Sequence, residues 1–385
     1  MEIPRTPITR RTALKTGTAV AAGIIFAGAG SATTAAAAKP VQPDVPWRVT
    51  LSPTQQAGQR VIFSYPGLTP PDSLLQAISS GEVGGVIFFG ENIASLDQIA
   101  SVIQTLKRAH AAGPIASPLL LMTDQEGGYI RRLRGAEPVL SEKQIGLSAD
   151  PIAAATAAGT GAGEALSGVG MNLNLAPVLD VFRVPGNFDD QWERSYSSDP
   201  AVAGALGAAF VRAQQQTGVA ATTKHFPGLG AAARDQNTDL GTVTLDQPLS
   251  ELRSIDEAAF APSIAAGADL VMTSWAVYPA IDATYPAGLS STIVNGELRN
   301  RLGFGGVTIT DALEAGALEP FGSTGQRSVL AADAGMDLLL CSARDVNQGQ
   351  EAVSAIATSL QNRQLNAGHF MISLRRIKSL RDSLA

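Results

Sequence analysis

Gly306-Val307-Thr308-Ile309-Thr310-Asp311 sets four consecutive β-branched residues between a glycine pair and a carboxylate. Branching at Cβ favours extended backbone. The run is too short for a helix and carries no charged residue before Asp311, so it predicts a strand buried on both faces, as in a parallel sheet. Asp311 ends it, and a charge at that point is costly unless it meets solvent, a partner or a ligand. Seven more runs of this character occur: Val61–Tyr65, Gly85–Phe89, Leu119–Thr123, Met171–Ala176, Ala220–Lys224, Asp269–Thr273 and Met336–Cys341. Between them lie Ala-rich stretches of helical spacing, at Ser95–Ala112, Pro151–Ser167, Pro200–Thr217, Leu249–Ala266 and Thr324–Ala334. Glycines such as Gly170, Gly218, Gly267 and Gly335 stand where each incoming helix must stop. Eight strand-then-helix units predict an α/β fold, a single-domain (β/α)8 barrel of the TIM type. A doubly wound sheet is the competing answer, but no Gly-rich phosphate fingerprint accompanies the strands.

A barrel fixes where chemistry belongs, at the C-terminal ends of its strands. The residues just after the apolar runs are Asp124, Asp180, Lys224, His225, Trp275 and Asp311. Carboxylates beside a Lys–His pair suit carbohydrate: carboxylates accept from sugar hydroxyls, an ammonium donates to ring substituents, and glycoside cleavage needs a carboxylate near the anomeric carbon.

Composition narrows the alternatives. The 385 residues are 45% apolar, enough for a large core, and carry a net charge of −6. An acidic chain is a poor nucleic-acid binder, since phosphate needs a basic face. One cysteine, Cys341, allows no intrachain disulfide, and with only three histidines a zinc cage of nitrogen and sulfur ligands is not expected. No metal or cofactor is expected.

The first residues read as an address. Arg10-Arg11 precede an apolar stretch from about Thr16 to Gly30, and Ala35–Ala38 supply small residues for a cut site. This predicts a twin-arginine-type export signal over residues 1–38, a linker over 39–50 and the barrel over 51–385, with no membrane span once the signal is removed.

Several motifs, in order and spacing, carry a resemblance. They include Gly84-Gly85-Val86-Ile87-Phe88-Phe89, Asp124-Gln125-Glu126-Gly127-Gly128, Asn172–Val181, Arg194-Ser195-Tyr196, Lys224-His225-Phe226-Pro227-Gly228 and Thr310-Asp311-Ala312-Leu313. Together they resemble the catalytic domain of glycoside hydrolase family 3, and are most similar to its single-domain β-N-acetylhexosaminidase branch, which trims N-acetylglucosamine from cell-wall fragments. The resemblance implies an exported retaining glycosidase with Asp311 as nucleophile and Asp124, Arg194, Lys224 and His225 as sugar contacts. A β-glucosidase-like specificity is the alternative within enzymes.

The chain departs from that branch after the fifth run. The turn's second His is Leu229, the acid/base dyad keeps its Asp as Asp235 but has Asn237 in place of its His, and a His common after the sixth run is Trp275. An amide cannot donate and recover a proton near neutral pH. Three explanations stay open: Asp235 or Asp239 acts as the acid, only activated substrates are cleaved, or the barrel binds sugar without cleaving it. The Gly- and Ala-rich segment 228–239 further predicts a loop that moves over the ligand.

Overall fold

The computed structural model describes residues 51–384. The export signal and the linker fall outside the described residues. Eight parallel strands close into a barrel in sequence order: β1 Val61–Phe63, β2 Gly85–Ile87, β3 Leu120–Thr123, β4 Leu173–Asn174, β5 Ala220–Phe226, β6 Leu270–Thr273, β7 Val307–Ala312 and β8 Leu338–Leu340. All eight expected runs carry a strand. β4 is shorter than the expected Met171–Ala176, although single backbone bonds continue beyond it, from Leu175 N–H to Thr123 O and from Lys224 N–H to Pro177 O.

The helices start where the sequence can cap them. Asp150 and Asp199 accept the orphan N–H groups of Ala153 and Ala201, and each is followed by a proline in the first turn. Helix Pro151–Val169 ends on Gly170 (φ 90°), and helix Thr324–Ala334 on Gly335 (φ 105°), a left-handed cap that favours glycine. Both helices then deliver the chain directly into a strand.

Side chains alternate along each strand. One parity points into the barrel: Ile62, Ile87, Leu120, Met122, Leu173, Leu270, Met272, Val307, Ile309, Leu338 and Leu340 pack as a single interior cluster. The other parity, with Leu121 and Leu339, faces the helices. Burying the inward set stabilises the closed barrel by about 1.5–3 kcal/mol per large side chain. Ile377 and Leu380 of the last helix join the interior cluster, and just before β8 Asp337 meets Arg299 at 2.6 Å and Arg376 at 3.4 Å. Among the described residues no helix is long and apolar enough to cross a membrane.

Candidate active site

Continuing the inward parity past the apolar layer gives the site. After Met122 comes Asp124, after Ile309 comes Asp311, after Leu340 comes Ser342, and Lys224 holds the inward position of β5. All four line a cavity of about 550 Å³ at the C-terminal mouth of the barrel, with Glu126, Arg194, His225, Asp239 and Glu314. The structure therefore brings together six sequence-predicted residues: Asp124, Arg194, Lys224, His225, Asp239 and Asp311. The seventh, Asp235, lies outside the cavity lining; Asp235 and Asp239 are both exposed, but only Asp239 lines the cavity. The chain turns after it, and the turn presents Asp239 instead.

The floor is a chain of alternating charges. Lys224 Nζ lies 2.8 Å from Asp124 Oδ1 and 2.7 Å from Glu126 Oε1. Arg194 grips Glu126 with both fork nitrogens, at 2.8 and 2.9 Å, and reaches Asp189 at 3.0 Å. Burial pushes the Asp124 and Glu126 carboxyls up, but the cations outweigh it: Lys224 then Arg132 at Asp124, and Arg194 then Lys224 at Glu126. Both carboxyls stay below their ordinary range. Burial acts against the charge on Lys224, yet Asp124 and Glu126 hold its pKa above normal. Asp124, Glu126, Lys224 and Arg194 are thus held in their charged forms, whereas burial and the neighbouring Asp180 push Asp189 up to about 7.

His225 is held differently. Its Nδ1 lies 2.7 Å from Asp180 Oδ2, and Asp180 Oδ1 accepts the Leu229 N–H at 2.6 Å. Asp180 thereby braces the turn after β5. Burial, then the positive charge of Arg194, lower the His225 pKa to about 4. The ring is neutral, Nδ1 carries the proton towards Asp180, and Nε2 is left as an acceptor. Asp180, Asp189 and His225 have donor atoms within 4.8 Å of one another. Asp180 Oδ2 and His225 Nδ1 already engage each other and Asp189 Oδ1 engages Arg194, while Asp189 Oδ2 is buried without a hydrogen-bond partner.

Asp311 sits at an irregularity in β7. Against β6 the register is regular through Thr310↔Thr273, whereas against β8 it shifts between Ile309↔Leu338 and Ala312↔Leu340. Three steps on one strand oppose two on the other, a bulge that ends the regular pairing of β7 at the barrel rim. Thr310 Oγ1 compensates by accepting the Leu340 N–H at 2.9 Å. Asp311 Oδ1 accepts the following Ala312 N–H at 2.7 Å. Burial raises its pKa, opposed by His225 and reinforced by Asp239.

Asn237 has a structural task. Its Oδ1 accepts the Asp239 N–H at 2.8 Å, and its carbonyl accepts from Leu240 and Gly241. Gly316 and Ala317 donate their N–H groups to the carbonyls of Asp239 and Thr238, at 2.9 and 3.0 Å. The segment carrying Asp239 is thus docked on the chain that follows Asp311. Its other flank is laced to the loop after β4, through Arg183 N to Gly230 O and Asn187 Nδ2 to Gly230 O. Composition suggested a moving loop; the hydrogen bonds tie it at both ends. Partial burial, then the negative charge of Glu314, raise the Asp239 pKa. Glu314 itself accepts three hydrogen bonds, from the Ser342 N–H and hydroxyl and from Gln348.

Residues 58–380 match the model described as the glycosyl hydrolase family 3 N-terminal domain. The chain belongs to glycosyl hydrolase family 3. Within the family it is 47% identical to a secreted glycosyl hydrolase of Arthroderma benhamiae over 332 residues, covering 86% of this chain and 93% of the relative. Among solved structures, the β-N-acetylhexosaminidase of Beutenbergia cavernae superposes with a TM-score of 0.78 at 34% identity, covering 86% of this chain and 98% of that one. The family 3 β-N-acetylglucosaminidase of a Paenibacillus species superposes with a TM-score of 0.82 at 33% identity over 87% of this chain. There the chain spans only 63% of the longer protein.

Sequence reasoning left some cavity-lining residues unassigned. Glu126 had no role until its position between Lys224 and Arg194 was visible. Glu314, Trp192, Arg132 and Arg344 line the cavity from loops whose paths no spacing rule predicts. Asn237 was readable in part, since an Asn two residues before the group it serves is the signature of an Asx turn.

Proposed function

We propose that this family 3 domain is a retaining exo-glycosidase that removes β-linked N-acetylglucosamine, with Asp311 as nucleophile and Asp239 as proton donor. The observation that supports it most is the shared cavity, with Asp311 beside an ionised cradle of Asp124, Lys224 and Arg194 and the neutral imidazole of His225. Asp124 accepts from sugar hydroxyls, Lys224 and Arg194 donate to the oxygens of ring substituents, and His225 Nε2 accepts. The Asp311 carboxylate attacks the anomeric carbon as Asp239 gives its proton to the leaving oxygen, which departs as an alcohol. Water then attacks the glycosyl-enzyme, Asp239 takes back its proton, and Asp311 leaves as the carboxylate. Asp239 suits the donor role because its raised pKa favours retention of the proton, while no hydrogen bond occupies its carboxyl among the described residues. The β-hexosaminidase names of the relatives favour N-acetylglucosamine over glucose. Export by residues 1–38 belongs to the same reading, supported by Arg10-Arg11 and by the secreted relative.

The test is turnover of 4-nitrophenyl N-acetyl-β-glucosaminide and of the β-1,4-linked disaccharide by the purified protein. Cleavage of both is expected, and its loss in Asp311→Ala with the fold intact. A protein that binds N-acetylglucosamine between pH 4 and 8 and cleaves neither substrate is a silent sugar-binding barrel, and the proposal fails.

A further inference from the structure

The bulge at Asp311 leaves the end of β7 without regular pairing. Thr310↔Thr273 is the last step against β6, and the chain then leaves the ladder. The peptide after Ala312 is nevertheless held from both sides. On the β8 side the Leu313 N–H donates to Leu340 O at 3.0 Å. On the β6 side no backbone group takes part. The indole Nε1–H of Trp275 donates to Ala312 O at 2.8 Å, where Ala315 N–H also arrives at 3.2 Å.

Trp275 is placed for this contact by local packing. It lies two residues beyond the end of β6, is fully buried, and does not line the cavity. Space for the ring depends on Gly288: a Cβ there would stand 2.5 Å from Cζ3 of Trp275 and 2.7 Å from Thr273 Oγ1. A large buried aromatic of this kind needs a partner for its N–H, and it takes the carbonyl of the residue whose own N–H binds Asp311 Oδ1.

We infer that Trp275 is a positioning residue for the reaction: its indole N–H fixes Ala312, and Ala312 in turn fixes the carboxylate of Asp311. This rests on the reading of Asp311 as nucleophile. Strand alternation points Asp311 at the cavity, the bulge removes the regular pairing that would hold it there, and Trp275 supplies on the β6 side the restraint that the lost ladder cannot. Because the indole is outside the cavity, it acts on turnover through Ala312 and not through contact with sugar.

The test uses the full chain and 4-nitrophenyl N-acetyl-β-glucosaminide, whose leaving group needs little protonation, so the proton donor does not enter. Two variants remove the donor: Trp275→Phe, and replacement of Trp275 by 3-benzothienylalanine, which keeps the bicyclic shape and lacks the N–H. In both, kcat is expected to fall at least about tenfold with KM within about twofold, since the loss falls on the transition state. The acid limb of kcat/KM moves to higher pH, because a carboxylate whose N–H partner is displaced ionises less readily. A benzothienyl variant with wild-type kcat and pH profile overturns the positioning role, whatever its melting temperature. Where Trp275→Phe does not fold, the isostere carries the test. Asp311→Ala is assayed alongside. Wild-type turnover there defeats the nucleophile reading itself, whereas an inactive Asp311→Ala beside an unaltered isostere defeats the positioning role alone.

Discussion

Lys224 Nζ lies 2.8 Å from Asp124 Oδ1 although the two residues are a hundred positions apart in sequence. The contact spans the barrel interior from β5 to the end of β3, and it shares its cation with Glu126. Removing that cation leaves two carboxylates in a buried site without it. Lys224→Met is expected to destabilise the fold by about 3 kcal/mol and to raise KM by more than tenfold. Asp124→Asn keeps the fold closer to wild type, since an amide oxygen can still accept from Lys224, and raises KM alone. Thermal melting and steady-state kinetics on both variants check this. Equal melting temperatures for wild type and Lys224→Met contradict the paired-charge account.

The pH dependence of activity follows from two carboxyls held above their ordinary range. Low pH protonates Asp311 and removes the nucleophile; high pH deprotonates Asp239 and removes the proton donor. The profile of kcat/KM is therefore bell-shaped, with an acid limb above the usual Asp range near 3.9. Burial and Asp239 hold the Asp311 carboxyl up, and partial burial and Glu314 hold that of Asp239 up. His225 is excluded as the origin of the acid limb if its pKa lies near 4. Its folded value is below the unfolded one, so between about pH 6.5 and 4 the unfolded chain binds the extra proton. The stability contributed by neutral His225 is present above that window and is lost as pH falls through it. Imidazole titration followed by NMR measures this directly, and a His225 pKa near 6.5 contradicts the buried neutral ring.

Much of this was legible before any coordinates. A run such as Val307-Thr308-Ile309-Thr310 specifies a strand by sterics, and period-two alternation then points Asp124, Lys224 and Asp311 inward with no knowledge of their neighbours. What escaped was whatever depends on partners distant in sequence. The bulge at Asp311 arises from register against β8, which Thr310 and Leu340 define only once they are adjacent. Glu126 follows Asp124 by two residues, but its role comes from Arg194, 68 positions away. Gly and Ala in 228–239 were taken as freedom to move. Gly230 instead permits close approach, since a Cβ there would meet Val181 O at 2.0 Å.

Glu126 offers a prediction separable from Lys224. It takes a bidentate hold from Arg194, which also bonds Asp189. Glu126→Gln removes the charge and keeps the size, leaving the buried guanidinium one carboxylate short. A loss of about 3 kcal/mol in stability is expected, together with weaker sugar binding as Arg194 drifts towards Asp189. Urea unfolding and calorimetric titration with N-acetylglucosamine check the two effects. An unchanged affinity in a destabilised variant confines Glu126 to a purely structural part.

Asn237 stands where imidazole was expected, and its contribution is to hold Asp239. With its Oδ1 on the Asp239 N–H at 2.8 Å, and Gly316 and Ala317 bonded to the same segment, the turn fixes where the Asp239 carboxyl stands. Asn237→Ala removes the first restraint and keeps the other two. The cost in stability is small, about 1 kcal/mol, but the cost in turnover depends on the leaving group. For the β-linked disaccharide, whose departing hydroxyl needs a proton, kcat is expected to fall about tenfold. For 4-nitrophenyl N-acetyl-β-glucosaminide it changes little, because nitrophenolate leaves without help. Asp239→Asn is expected to show the same selectivity in stronger form. If Asn237→Ala slows both substrates by the same factor, the turn serves the fold and not the proton, and another group must supply it.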